Sequence, residues 1–115
     1  MKVPFRLVDV FAERPLAGNQ LCVVTDPGPL DAGGMQRIAR EIGFSETTFV
    51  TSIGGSAYSM RIFTPGGELP FAGHPTLGTA FVLVSEGMVA SPVVQTVRAG
   101  DFRVEVDLER RFVSV

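Results

Sequence analysis

The sequence predicts an α+β fold in which a mixed or antiparallel sheet curls around one central buried helix. Three observations predict it. Several short segments alternate in polarity at every second residue, as strands with one buried face do. One segment carries apolar residues at helical spacing between a polar cap and a glycine. A second helical segment, starting at Pro75, is apolar or small on every side, which suits only an enclosed helix.

Val3–Phe11 forms the first predicted strand, with Phe5, Leu7, Asp9 and Phe11 alternating against Val8 and Val10. Glu13–Asn19 contains Pro15 and Gly18 and reads as a loop. Gln20–Thr25 is the next strand, stopped by Asp26-Pro27-Gly28-Pro29. Asp31 is placed to cap a helix carrying Met35, Ile38, Ala39 and Ile42, and Gly43 suits the left-handed residue that ends it. Thr47–Thr51 and Ala57–Thr64 follow as strands, the latter with Tyr58, Met60 and Ile62 on one face. Thr64 to Pro70 is a turn into a short extended piece. Pro75 fits the first position of the second helix, which runs to about Glu86 before Gly87. Strands over Val93–Arg98, Phe102–Leu108 and Arg111–Val115 complete the chain, the middle one with Arg103, Glu105 and Asp107 on a wet face.

Bulk properties narrow the function. The 115 residues suit a single domain spanning 1–115, and 45% hydrophobic against 19% charged residues excludes a disordered chain. A net charge of −2, with no Lys/Arg cluster, argues against a nucleic-acid surface. The start of the chain has no apolar leader core, and the longest nearly apolar run, Thr79–Val84, is far too short for a membrane span. A soluble cytoplasmic protein with no membrane partner is the expectation. One cysteine, Cys22, excludes an internal disulfide and reads as a core residue. With one histidine beside it, no metal constellation is expected, and neither is a nucleotide loop.

Three places carry residues suited to chemistry. Phe71-Ala72-Gly73-His74-Pro75-Thr76 opens the apolar helix, whose first amides have no partner within the helix and whose dipole favours an anion. Gly73 lets a ligand approach closely, and His74 at the rim brings an imidazole. The pattern alone leaves His74 open between that role and simple packing at a helix end. Glu46 stands where a helix hands over to a strand, either as a solvated acid or as a proton carrier set against an apolar wall such as Phe49. Asn19 offers an amide to a carboxylate or satisfies its own turn.

Three blocks together resemble the amino-terminal half of the PhzF-like family of phenazine biosynthesis, relatives of diaminopimelate epimerase. These are Val8-Asp9-Val10-Phe11 to Gly18-Asn19, then Ser45-Glu46-Thr47-Thr48-Phe49-Val50, then Arg61 to Thr64-Pro65 and Glu68 through Gly78. The match spans most of residues 3–86; the tail resembles the family in strand pattern alone. The resemblance implies a diaminopimelate epimerase-like half, and a cofactor-independent isomerase that moves a proton on a dihydro-hydroxyanthranilate-like carboxylate. It implies Glu46 and His74 as catalytic residues, with Asn19, Gly73, Pro75 and Thr76 binding the substrate. Ala72 stands where the epimerase relatives carry a thiol, which disfavours a two-thiol racemase. Gln20 replaces the family's usual proline. The family's second half supplies an aspartate and further contacts, so the expectation is either a fragment or processed piece of a longer protein or a second chain that completes the cleft, as a homodimer or a complementary second-half chain. The alternative is a non-catalytic half-domain acting as a ligand-binding or assembly module.

Overall fold

The computed structural model describes residues 3–10 and 19–115. Ten elements follow in order: β1 (Phe5–Val10), β2 (Asn19–Val24), α1 (Ala32–Ile42), β3 (Glu46–Gly54), β4 (Ala57–Thr64), β5 (Gly67–Leu69), α2 (Gly73–Ser85), β6 (Val93–Val97), β7 (Gly100–Asp107) and β8 (Phe112–Ser114). The strands form one mixed sheet in the order β1-β2-β3-β4-β6-β7-β8, and β5 pairs with β4 beside β6. Parallel pairing occurs at β2–β3 and at β4–β6, each across a connection that contains a helix. The result is an α+β fold with two helices on a curled mixed sheet.

The predicted capping of α1 is present. Asp31 accepts from the Gly34 amide at 2.8 Å, and Gly43 ends the helix at φ 74°, a conformation that costs a residue without Cβ nothing. α1 packs on β3 and β4, whereas α2 touches β1, β2, β3, β6, β7 and β8. The apolar run of β2 has no alternation because both faces are covered. Leu21 and Val23 enter the cluster that includes Ala80, Val82 and Leu83 of α2. Cys22 and Val24 enter the second cluster, with Met35 and Ala39 of α1 and Phe49 and Phe63.

Several predicted boundaries move. α2 starts at Gly73 with Ala72 as its N-cap, so Pro75 is the third helical residue rather than the first. The shift is free of cost because the third residue's amide also has no partner inside a helix. β3 runs on to Gly54, beyond the expected end at Thr51, as an exposed hairpin arm that pairs with β4 through Gly54 and Ala57. Its outer residues bury nothing, so no apolar signal marks them. β7 ends at Asp107, and Leu108 lies exposed beyond it. The loop expected over Glu13–Asn19 lies, apart from Asn19, outside the described residues.

β5 is fastened to β4 by a paired contact. Arg61 donates from Nε and Nη2 to the two Glu68 carboxylate oxygens at 2.8 and 2.7 Å. Glu68 faces Phe63 across the strands, so Arg61 is its diagonal neighbour on the same face. The Arg61 hydrogen bonds hold the Glu68 carboxyl below the usual carboxylate range, with Arg98 adding to the effect. A carboxyl depressed on folding stabilises the fold above its unfolded value, and that contribution is lost as pH falls through the lower folded value. Glu68→Gln should therefore cost about 1 kcal/mol near neutral pH. The difference from wild type in urea melts should close on acidification, and a pH-independent difference would contradict this.

Candidate active site

Glu46 opens β3 directly opposite Leu21 of β2, and residues paired this way in parallel strands project to the same face. Leu21 belongs to the cluster under α2, so Glu46 points toward α2 as well. His74 is the second residue of that helix. Its Nδ1 lies 3.2 Å from Glu46 Oε1, and the two side chains are only 11% and 14% exposed. The other ring nitrogen, Nε2, is enclosed and has no hydrogen-bond partner. The ring thus stands at the first turn of α2 and is largely covered.

Phe49 is not the wall beside Glu46. The two are three residues apart on a strand, so they point to opposite faces, and Phe49 packs against Phe63 in the α1 cluster. Leu21 is the apolar neighbour instead. Gly73 is exposed, and a Cβ added to it would meet nothing within 4 Å, so the helix mouth has room in front of it. No side chain caps this helix. The amides of Gly73 and His74 have no intrahelical acceptor, which makes the mouth a place for an anion.

The remaining candidates are placed less openly. Pro75 is buried and has no N–H to offer. Thr76 is 0% exposed, and both its amide and its hydroxyl donate to the Ala72 carbonyl, at 3.3 and 2.8 Å. Neither donor of Thr76 is turned outward. The backbone of Asn19 pairs with Val10 at the start of β2, and its side chain and Gly18 lie outside the described residues. Cys22 is 0% exposed, and burial pushes its thiol up to about 11. It faces α1, on the side of the sheet away from Glu46 and His74. Among the described residues no group of His, Cys, Asp and Glu could hold a metal ion, and no helix is long and apolar enough to cross a membrane.

Sequence reasoning missed the polar residues behind the pair. Thr48 and Thr79 bring their hydroxyls to 2.8 Å, both fully buried. Gln95, also fully buried, donates from Nε2 to the Tyr58 hydroxyl and, at 3.1 Å, to the Thr76 carbonyl. This second contact holds the first turn of α2 from beneath. A signal existed for Gln95: it shares the alternation of Val93 and Val97 and so falls on the buried face of β6.

The structure thus defines a protein with a mixed α+β sheet and a Glu–His pair at the open mouth of its second helix. The comparisons with known proteins agree with the fold. The pattern that defines the phenazine biosynthesis-like (PhzC-PhzF) proteins matches residues 8–113, and the chain belongs to this family. It is 54% identical over 78 residues, 67% of its length, to the trans-2,3-dihydro-3-hydroxyanthranilate isomerase of Pseudomonas chlororaphis, of which it covers 28%. It is 39% identical over 111 residues to the antisense-enhancing sequence 1 protein of Schizosaccharomyces pombe, covering 92% of this chain and 38% of that one. The crystal structure of a phenazine biosynthesis PhzF-family protein from Enterococcus faecalis superimposes with a TM-score of 0.84 at 38% identity, covering 93% of this chain and 41% of the other. The chain therefore spans well under half the length of these relatives. The family match also reaches the tail, where the sequence shows strand pattern alone.

Proposed function

We propose that this chain carries the proton-transfer pair of a PhzF-like isomerase that acts on a small carboxylate, of the dihydro-hydroxyanthranilate type. The 3.2 Å approach of His74 Nδ1 to Glu46 Oε1 beside an open helix mouth is the observation that carries the proposal. The substrate carboxylate takes the Gly73 and His74 amides, where the helix dipole favours negative charge. Glu46 removes a proton from one carbon; the freed electron pair moves into the adjacent π system and the double bond shifts. The same carboxyl then returns the proton to another carbon, so no oxidant or reductant is consumed. His74 orients the Glu46 carboxyl through Nδ1. A second copy or a complementary chain closes the open side of the mouth and excludes water.

The test is an isomerisation assay in D2O, using trans-2,3-dihydro-3-hydroxyanthranilate and the chain in its native assembly. Turnover in which the newly protonated carbon carries mainly the proton taken from the substrate supports its return by one shielded carboxyl, whereas complete deuterium labelling there would contradict direct return. Binding of the compound without turnover would favour a non-catalytic ligand-binding module, a reading that the chain's short span of its relatives keeps in view.

A further inference from the structure

We propose that Thr48 and Thr79 are the positioning residues of the Glu46–His74 pair, fixing α2 against β3 in both slide and rotation; this rests on the functional reading above. Their hydroxyls meet at 2.8 Å with no exposure to solvent. Thr48 lies two residues from Glu46 on the same face of β3, about 6.6 Å along the strand. Thr79 lies five residues from His74, about 7.5 Å along the helix axis and about 140° around it.

β3 therefore grips α2 at two places that differ in both height and azimuth. A single contact would let the helix pivot. Two contacts of this kind remove both freedoms, so the threonine pair sets where the imidazole stands relative to the carboxyl. The rest of this interface is apolar, with Val50, Ala80 and Leu83 in one cluster, and apolar contact is non-directional. A hydroxyl pair has a narrow range of distance and angle, so it selects one register. The helix start has no side-chain cap, and the hydrogen bond from Gln95 fastens its first turn to β6 rather than to β3.

The test uses Thr79→Val, Thr79→Ser and the double variant Thr48→Val/Thr79→Val in the native assembly. Because this chain has one histidine, its ring signals in nitrogen-15 NMR belong to His74. Thr79→Val should lower kcat at least tenfold with KM changed less than twofold, and Thr79→Ser should restore it. The double variant leaves no orphaned hydroxyl, so it should keep the wild-type melting temperature. It should still show the low kcat, and its His74 ring signals should move toward those of Glu46→Ala. Wild-type kcat and unmoved ring signals in the double variant would overturn the proposal, and that variant alone decides if Thr79→Val fails to fold. If Glu46→Gln kept full turnover, the functional reading would fall. The ring signals would still decide the positioning claim, supporting it if displaced and overturning it if unmoved.

Discussion

Replacing Glu46 with glutamine should lower turnover at least about 100-fold while leaving the fold intact, since a positioned general acid–base group contributes 10²–10⁴-fold. Glutamine matches glutamate in shape and still accepts a hydrogen bond, but it neither takes nor gives a proton at working pH. Glu46 sits at the first position of β3 and belongs to neither apolar cluster, so its loss leaves the core untouched. Circular dichroism and the melting temperature should therefore match wild type. Near-normal kcat in this variant would remove Glu46 from the proton-carrying role. A parallel collapse of the melting temperature would show instead that the carboxylate is structural.

The second large effect is on stability. Phe49 is fully buried on the α1 side of the sheet, edge-on to Phe63 with ring centres 5.5 Å apart. Phe49→Ala should cost about 3–5 kcal/mol, from the lost transfer of the ring and the cavity it leaves. Against a typical total of about 5–15 kcal/mol, that is a large fraction. The urea midpoint should fall accordingly with the slope of the transition unchanged. Phe49 points away from Glu46, so kcat per folded molecule should change little. A loss below about 1 kcal/mol would mean that the α1 side is not a closely packed core.

Most of the fold was legible because its signals are local. Asp31 and Gly43 mark the ends of α1 by their own hydrogen-bonding and backbone preferences, and the alternation of Tyr58, Met60 and Ile62 marks β4. The misread places are those where tertiary contact decides. The outer arm of β3 is held by pairing with β4 alone, and the first turn of α2 is held by Thr76 and Gln95 rather than by a cap. Pattern and spacing made the site legible as two separate motifs, and the family resemblance joined them as one catalytic pair. Glu46 and His74 are 28 positions apart in sequence, and only the β3–α2 packing brings them into contact. Strand parity would have corrected the Phe49 assignment, because residues 46 and 49 cannot share a face of an unbroken strand. Thr48 and Thr79 left no comparable signal. A threonine in a strand, or in an apolar helix, looks the same whether its hydroxyl meets a partner or its own backbone.

The most direct measurement is a double-mutant cycle on kcat, with Glu46→Gln, His74→Asn and both together. If the carboxyl and the imidazole work as one unit, the double variant should be no slower than the slower single variant. Losses that multiply across the two sites would mean that each group acts alone, and the paired site at the mouth of α2 would be the wrong description of this protein.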